Sequence, residues 1–503
     1  MTERRVLLAS LLSVVCISLY SQVLMKNARG VARPPVSPAT VQTTLAAAPM
    51  DFMELPDETT TPIESESLRI EIGNNSGAIR SVALNQFLNT TKTAPLQFKA
   101  RTALFSLRGD KEPFKATAVQ VMGSRAEINL SNGSDQIKIA YELDPKIPVL
   151  RVSLLEPGTD QKPVSFSASW IRGDDLSSQQ NRLEAYVIEQ KPDKPKYHHF
   201  AGSWKGEKNV PRGTLLALSE RHFCLVLKTA TAWESVKLYA YNNHGLGAKI
   251  PVVQLNEPVS LYFGARDFFQ LRAAGFAQAF PIGALGQIGL ALLSLLNWLA
   301  GFTHSYGIAI ILFSVIVTGA MSPFTFLSYR SMKRMQELKP QIDKITAQHK
   351  NDPQKANKEV FALYKENKVS PLGGCLPMLL QMPIFIALFQ AMSHFVNLRG
   401  ATFFGIKDLS LPDQLIHLSF KAPLIGTGLN VLPIIMAAAM YLQTRASQKS
   451  MGSPADNPTA QMMSGPMMPI LFLFMFYQFP AGLVLYWLTN SIMSMLLSRV
   501  ASK

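Results

Sequence analysis

The sequence has only three cysteines in 503 residues, Cys16, Cys224 and Cys375. They are too far apart in the chain to resemble a disulfide framework or a metal-binding cluster. The chain also has no G-x-x-x-x-G-K-[ST] loop to hold nucleotide phosphates, because GSWKGEK at 202–208 does not meet that spacing. We therefore expect no metal, no nucleotide and no other cofactor.

Acidic residues are missing from the long apolar runs of the C-terminal half. Proton-coupled transporters use such intramembrane acids, so an energised pump or proton-coupled carrier is disfavoured. Hydrophobic residues make up 48% of the chain, which together with these runs predicts a membrane protein. The formal net charge is +15, but the basic residues concentrate beside apolar runs, as the positive-inside rule expects, and not in a DNA-binding patch.

The N-terminal residues form an apolar stretch from Val6 to Met25, which is long enough to cross a bilayer. We interpret 1–26 as an uncleaved transmembrane anchor. A cleaved signal peptide is the alternative, but the small-residue run at 46–48 is distant and is followed by Pro49. Residues 27–66 are rich in Pro, Thr and Ala without any period, which predicts a flexible tether.

Residues 67–270 contain short alternating runs such as SLRIEIG at 67–73, separated by turn signals such as GNNSG at 73–77. This pattern predicts a large antiparallel β-sandwich. An acid and base pair of the kind used by sugar-epimerising sandwiches would need histidine beside glutamate. The candidates are His198, His199, His222 and His244 with Glu184 or Glu189. No spacing brings any two of them together, so we do not expect an enzyme.

The remaining chain is dominated by apolar segments. Residues 280–304 predict an interfacial amphipathic helix with Trp298 as an anchor, followed by a spanning helix at 305–327. Residues 371–500 hold the other spans. Their candidate ranges are 375–395, 423–443, 466–479 and 481–498. With the N-terminal anchor, this predicts six transmembrane helices.

The orientation follows from the segment 326–373, which has ten basic residues against five acids and is therefore expected in the cytoplasm. Parity then places the β-sandwich outside, in a bacterial periplasm. Within this segment, 328–370 has helical periodicity that is interrupted by NDPQ at 351–354, which predicts a basic helical hairpin. The hairpin is either a solvated structural element or a docking arm for a polyanion such as a ribosome.

A stripe of hydroxyls runs through the apolar segment LFSVIVTGAMSPFTFL at 312–327. At about 100° per residue, Ser314, Thr318, Ser322 and Thr325 fall within roughly one quarter of a helix circumference. Each hydroxyl taken singly is explained by a bond to another helix or to its own helix. Taken together with the other polar residues of the spans, they indicate a hydrated cavity.

Three motifs resemble the signatures of the YidC/Oxa/Alb family of membrane-protein insertases: SPLGGCLPMLLQMPIFIALFQ at 370–390, IKDLS at 406–410 and FPAGLVLYWLTN at 479–490. They occur in the family's order, each beside a predicted span. The basic segment is similar to the family's cytoplasmic hairpin. The anchor, tether and sandwich are similar to the family's long Gram-negative form.

The resemblance implies an inner-membrane protein with a hydrophilic groove, open to the cytoplasm and to lipid, that inserts nascent membrane proteins without nucleotide. It implies ribosomes, the Sec translocon and membrane lipid as partners, and a mutarotase-like sandwich without enzymatic role. The implied groove residues are Ser314, Thr318, Ser322, Gln381, Tyr486, Trp487 and Asn490. The implied docking residues are Arg330, Lys333, Arg334 and Lys339. The implied structural residues of the motifs are Pro371, Gly373, Gly374, Pro383, Pro480 and Gly482.

Three positions depart from the family pattern: Trp487 stands where many members have tyrosine, Ser370 stands where asparagine is common, and the departure that matters most is at position 318. The family usually has an arginine in the groove, within a stretch written VRG, whereas this chain has Val317, Thr318 and Gly319. We therefore expect the groove to attract substrate by hydration and hydroxyl hydrogen bonds, with Arg330 and Lys333 supplying electrostatic recruitment. Two alternatives are a transporter or channel with a periplasmic sensor domain, and an assembly chaperone in which the groove is idle.

Overall fold

The structure is a computed structural model that describes residues 56–89, 92–99, 103–108, 114–133, 136–156, 165–171, 183–189, 191, 195–201, 206–241, 245–250, 257–349, 352–367, 369, 376–422, 426–451 and 467–501. The chain divides into two compact units. The described residues up to 281 form a β unit, and those from 282 onward form a helical unit. The predicted N-terminal anchor lies outside the described residues.

The β unit consists mainly of strands. Their bounds are β1 (Thr60–Glu64), β2 (Leu68–Gly73), β3 (Ile79–Leu88), β4 (Pro95–Lys99), β5 (Phe105–Arg108), β6 (Lys115–Met122), β7 (Arg125–Ser131), β8 (Gln136–Leu143), β9 (Val149–Glu156), β10 (Ser165–Ile171), β11 (Glu184–Glu189), β12 (Lys196–Ala201), β13 (Gly206–Ser219), β14 (Phe223–Tyr241), β15 (Gly245–Ile250) and β16 (Val259–Ala265). A short helix, α1 (Phe268–Ala273), follows the last strand.

The strands of the β unit pair in one hydrogen-bonded network. Its main path runs β1-β2-β3-β5-β10-β15-β14-β16-β9-β8-β7-β6, with β4 paired to β3, and with β12 and β13 flanking β11. The ladders from β7 through β8 to β9 are antiparallel, as the alternation of apolar and polar residues predicts. In β2, for example, Leu68, Ile70 and Ile72 are fully buried. The large β-rich domain is thus observed, and its packing as a sandwich remains a prediction.

The β unit begins earlier than predicted. Residues 60–64 form β1 and pair with β2 from Thr60 opposite Gly73 to Glu64 opposite Arg69, although 27–66 was predicted to be a tether. The Pro and Thr content suggested a linker, but Ile63 is buried and Thr favours strands. Pro62 is tolerated because β1 lies at the edge of the network.

The helical unit contains eight α-helices within the described residues. They are α2 (Ala284–Thr303), α3 (Tyr306–Glu337), α4 (Lys339–Gln348), α5 (Pro353–Glu366), α6 (Leu376–Ser393), α7 (Val431–Met451), α8 (Met467–Phe476) and α9 (Ala481–Ala501). A short hairpin of β17 (Ile416–Ala422) and β18 (Gly426–Leu429) precedes α7. The core is aromatic and aliphatic, with Phe313, Phe395, Phe476 and Tyr486 fully buried.

Within the described part of the chain, three helices are long and apolar enough to cross a membrane: α2, α3 and α9. Shorter apolar helices occupy 381–393, 431–445 and 467–476. The helical unit therefore has several apolar helices, and the count of six spans remains a prediction. Helix α2 has the length of a span, although we predicted that it lies along the interface. Trp298 on α2 is 68% exposed, and its role as an interfacial anchor remains a prediction.

Helix α7 begins at Val431, eight residues after the predicted start of that span at 423. The Asp413 carboxylate accepts hydrogen bonds from the backbone N–H groups of Val431 and Leu432 at 2.7 and 3.0 Å. These are orphan donors of the first helical turn, so Asp413 fixes the start of the helix. The predicted boundary was wrong because this cap lies 18 residues before the helix in the chain.

Helices α4 and α5 lie in the segment predicted as a basic hairpin; α4 ends at Gln348 and α5 begins at Pro353. The Asp352 carboxylate accepts from the N–H of Lys355 at 3.1 Å and caps α5, with Pro353 at the first helical position. The His349 ring lies 3.1 Å from the Glu359 carboxylate on α5. Helix α3 continues without interruption from the predicted span to Glu337.

Candidate functional site

The hydroxyl stripe of α3 is most buried near the centre of the apolar segment. The Ser314 hydroxyl donates to the carbonyl of Ile310 at 2.7 Å, and Ser314 is fully buried. Thr318 is 5% exposed, and its hydroxyl lies 2.7 Å from the carbonyl of Ser314. Bonds of this kind satisfy a hydroxyl within its own helix, so Ser314 requires no further partner.

Thr318 also contacts another helix. Its Oγ1 lies 2.8 Å from the amide Oδ1 of Asn490 on α9. A threonine has one hydroxyl proton and cannot donate fully to both the Ser314 carbonyl and this amide. Rotating the Asn490 amide by half a turn places Nδ2 against Oγ1, so that the amide donates and both bonds form. In either orientation, a neutral polar pair joins α3 to α9.

A second polar contact joins α6 to α9. The Nε2 of Gln381 donates to the Tyr486 hydroxyl at 2.6 Å. Tyr486 is fully buried, and its ring packs 5.9 Å from the ring of Phe313 on α3. Gln381 is half-buried. Helix α9 therefore carries two polar residues, Tyr486 and Asn490, each bonded to a different neighbouring helix.

Trp487, the residue after Tyr486, makes a different kind of contact from these two polar bonds. Its ring packs against aromatic residues of α6 and α8, at 5.0 Å from Phe385, 5.4 Å from Phe472 and 5.0 Å from Phe476. The resemblance implied a groove position for Trp487, but in the structure its visible contacts are apolar. Its role in a groove remains a prediction.

The hydroxyl stripe becomes more accessible after Thr318. Gly319 and Ala320 are exposed, and Ser322 is half-buried one turn further along α3. Thr325 is also half-buried, and its hydroxyl donates to the carbonyl of Met321 at 3.1 Å. The stripe is thus closed at Ser314 and Thr318 and partly open from Ser322 onward, in the direction of the basic segment.

Sequence reasoning missed a second polar cluster in the helical unit, at the start of α7. Asn430 donates from its Nδ2 to the carbonyl of Tyr477 at 2.6 Å and accepts from the N–H of Gln414 at 3.0 Å. Together with the Asp413 cap, it ties the loop before α7 to the end of α8. The available signal was the Asp of the LPD sequence at 411–413. Asp is a typical helix-capping residue, but here no predicted helix follows it directly.

Residues 298–503, which include all of these contacts of the helical unit, match the family model of the 60Kd inner membrane protein. This part of the chain is therefore similar to that family. The resemblance to YidC insertases is therefore confirmed. The family's name and the apolar helices indicate an inner-membrane protein with several spans.

Curated relatives of the family carry the name membrane protein insertase YidC. The protein from Cupriavidus pinatubonensis is 35% identical over 325 residues, which is 60% of this chain and 54% of the relative. The protein from Pelobacter propionicus is 40% identical over 237 residues, which is 46% of this chain and 42% of the relative. The aligned region thus spans about half the length of these relatives. A crystal structure of an active YidC insertase, with its first transmembrane domain resolved, aligns over 99% of both chains at a TM-score of 0.40 and 17% identity.

Three of the six predicted motif residues, Pro383, Pro480 and Gly482, lie among the described residues. Gly482 is buried at the start of α9, and its N–H donates to the carbonyl of Leu409 at 2.9 Å. A Cβ at this position would lie 3.2 Å from that same carbonyl, so glycine permits the close approach. Pro480 is buried just before α9, and Pro383 is exposed within α6. Pro371, Gly373 and Gly374 lie outside the described residues.

The basic residues predicted to dock a partner follow the open end of the stripe. Arg330, Lys333 and Arg334 are exposed on α3, at spacings of three and four that place them on one helix face. Lys339, at the start of α4, is half-buried. The structure therefore presents three cations on one surface of α3.

In the β unit, the structure brings together residues that the sequence left apart. The His199 ring stacks on Tyr186 at 4.4 Å, and its Nε2 lies 3.7 Å from the Glu184 carboxylate. Arg266 donates to the same carboxylate at 2.8 Å and to the Tyr186 hydroxyl at 3.0 Å. Burial raises the pKa of Tyr186, so its hydroxyl stays protonated and donates to Glu184. These groups satisfy one another, as expected of a structural network.

The other predicted histidines are distributed differently. His198 lies 3.1 Å from the Glu189 carboxylate, and this hydrogen bond lowers the pKa of Glu189. His222 is buried, and His244 lies outside the described residues. Among the described residues, no group of three or more His, Cys, Asp or Glu side chains is placed to hold a metal ion.

Proposed function

We propose that this chain is a membrane-protein insertase and chaperone. It moves nascent membrane proteins from the cytoplasm into the lipid of the inner membrane without nucleotide hydrolysis, alone or with the Sec translocon. The observation that supports this most directly is the family match over 298–503, together with the polar contacts that α9 makes inside the same region. We propose no catalytic residue and no enzymatic role for the β unit.

The physical basis of the proposal is the cost of polar groups in lipid. An unsatisfied peptide group in hydrocarbon costs several kcal/mol, so a hydrated groove that shortens the lipid path lowers the barrier for the polar flank of a substrate. The apolar segment of the substrate then drives insertion by roughly 0.8 kcal/mol per buried methylene. A source of chemical energy is not required.

The groove that we propose has a floor and a mouth. The floor is formed by the Thr318 and Asn490 pair and the Gln381 and Tyr486 pair, which close α9 against α3 and α6. The mouth lies at Ser322, where the stripe becomes half-exposed. Since α3 carries no charged residue from Tyr306 to Tyr329, the groove wall on this helix attracts substrate by hydration and hydroxyl hydrogen bonds.

In this proposal, the exposed cations of α3 that follow the groove mouth recruit the substrate. Arg330, Lys333 and Arg334 face the cytoplasm in this proposal, because the segment that contains them is strongly basic. They attract acidic flanks of nascent chains, and with the basic hairpin they dock the ribosome. The β unit then lies in the periplasm.

The test is site-specific photocrosslinking in proteoliposomes that contain the full chain. A photoreactive residue at Ser322 is expected to crosslink to the polar flank of a ribosome-stalled membrane protein. The matched control is the same probe at Phe302, which is 78% exposed on α2 and outside the groove. Equal crosslinking from both positions, or solute flux without any crosslink, would favour the channel alternative. Crosslinking without protease-protected insertion of the released substrate would indicate an idle groove.

A further inference from the structure

A shallow pocket of about 490 Å³ lies where α2 passes into α3 and a following loop folds beside them. Its polar lining consists of Ser305, Thr402 and Lys407, and its apolar lining includes Ile308, Phe403 and Phe404. Lys407 is the one formally charged residue of this lining. The neighbouring Asp408 is not part of the lining, and its Oδ1 accepts from the N–H and the hydroxyl of Ser410 at 2.8 and 2.7 Å. The proposed insertase mechanism does not use this pocket.

The loop that borders the pocket holds an aromatic side chain outward at a conformational cost. Phe403 and Ile406 exchange two backbone hydrogen bonds at 2.9 Å, which closes a two-residue turn. Both central residues have positive φ, 44° at Phe404 and 82° at Gly405. Asn usually precedes Gly in such a turn, and a bulky residue there is strained. The Phe404 side chain is nevertheless 87% exposed, which indicates that the ring meets something outside the protein.

Other exposed aromatic side chains place the pocket at the level of a membrane interface. Phe302 lies three residues before Ser305 and is 78% exposed, and Trp298 lies one turn earlier and is 68% exposed. Both are at the end of α2, a helix of spanning length. Aromatic rings at the ends of spanning helices occupy the headgroup region of the bilayer.

An exposed apolar stripe on α3 begins at the pocket. Ile308 lines the pocket, and Leu312, Val315 and Ile316 continue along the helix with exposures of 37%, 37% and 44%. At about 100° per residue, these four positions share one face of the helix. A polar pocket with a lysine, from which an apolar stripe leads along α3, matches the shape of one phospholipid. The headgroup fits the pocket and an acyl chain fits the stripe.

We propose that the pocket binds the headgroup of an anionic phospholipid. The Lys407 ammonium group pairs with the phosphate, the Ser305 and Thr402 hydroxyls donate hydrogen bonds to it, and an acyl chain lies along the α3 stripe. Phe404 inserts beside the bound lipid at the interface. The site goes beyond the proposed insertase activity and does not depend on the groove.

The test is lipid retention by the full chain, purified in detergent and incubated with equal amounts of phosphatidylglycerol and phosphatidylcholine. Native mass spectrometry then counts the lipids that remain bound. One lysine near a membrane surface favours an anionic lipid about fivefold. The wild-type chain is therefore expected to retain phosphatidylglycerol in preference to phosphatidylcholine by about that factor. Lys407→Gln is expected to lower this preference, while the other exposed cations of the chain keep their own contribution. The matched control Lys365→Gln, at an exposed lysine of α5, is expected to keep it.

A second variant tests the pocket without changing its charge. Thr402→Val removes one donor at an exposed position and is expected to reduce phosphatidylglycerol retention while the fold, measured by circular dichroism, is unchanged. Equal retention of phosphatidylglycerol by the wild type and by Lys407→Gln would overturn the proposal. So would binding of glycerol phosphate, which has no acyl chain, as strongly as the lipid, because the pocket would then be a site for a soluble anion.

Discussion

Thr318→Val is the substitution that most directly tests the proposed groove floor. Valine has nearly the shape of threonine, so it keeps the packing of a position that is 5% exposed while removing the hydroxyl. The Ser314 carbonyl keeps its place in the helix ladder, but the Asn490 amide loses its partner 2.8 Å away. The change therefore removes one neutral interhelical contact and makes one wall of the groove apolar.

The expected loss of stability is modest. Interhelical hydrogen bonds in membrane proteins average about 0.6 kcal/mol and reach about 1.7 kcal/mol. The Thr318 bond is shared with its own helix, so we expect a loss of about 1 kcal/mol, which lowers the folding equilibrium about fivefold and leaves the protein folded. A several-fold fall in insertion would then exceed what misfolding explains. We expect that fall for substrates with a polar flank.

The assay is insertion of a radiolabelled single-span substrate into proteoliposomes, with the protease-protected fraction measured against time. Thr444→Val is the matched control, since among the described residues the Thr444 hydroxyl on α7 donates within its own helix, to the carbonyl of Met440 at 2.9 Å. The control is expected to insert substrate at the wild-type rate. If Thr318→Val also inserts every substrate at the wild-type rate, the hydrated floor is refuted and the Thr318 contact is purely structural.

Three further predictions concern other parts of the molecule. Arg330→Ala combined with Lys333→Ala is expected to slow insertion of acidic-tailed substrates and to remove its dependence on salt, while neutral-tailed substrates are unaffected in the same assay. Asp413→Ala is expected to lower the free energy of unfolding by about 1 kcal/mol through loss of the α7 cap, measured by thermal melting in detergent, whereas Asp343→Ala on the exposed hairpin should leave it unchanged. The Glu189 carboxyl has a pKa below its ordinary value of 4.5 because of the His198 hydrogen bond. Its ionised form therefore stabilises the folded β unit above pH 4.5, and this contribution is lost as the pH falls through the lowered pKa. An unshifted Glu189 titration, measured by NMR, would contradict this.

The sequence predicted well those features that depend on local pattern. Four of the apolar helices lie within about two residues of the predicted spans at one end or both, because length and hydropathy are local properties; α8 at Met467–Phe476 and α9 at Ala481–Ala501 are examples. The start of α5 at Pro353 follows from the Asp and Pro at 352 and 353. Antiparallel strands likewise follow from alternation along each strand.

Contacts between distant residues could not be predicted in the same way. Thr318 and Asn490 were each predicted to line a groove, but they are 172 residues apart and nothing in either segment indicates that they bond to each other. Arg266 and Glu184 are 82 residues apart, and the network that they form with His199 depends on the pairing of β11 with β12. The start of α7 was misplaced for the same reason, since its cap belongs to a preceding loop.

In the function that we propose, the groove floor at Thr318 is uncharged and the cations of α3 lie further along the same helix. A guanidinium at position 318 would face Asn490 in a buried site, where an unpaired charge costs several kcal/mol unless water reaches it. Arg330 is twelve residues further along the same helix, about 18 Å at 1.5 Å per residue. Thr318 is buried whereas Arg330 is exposed, so the two positions differ in their access to solvent and salt. We therefore predict that recruitment by charge and passage by hydration are separate steps, and that salt affects only the first.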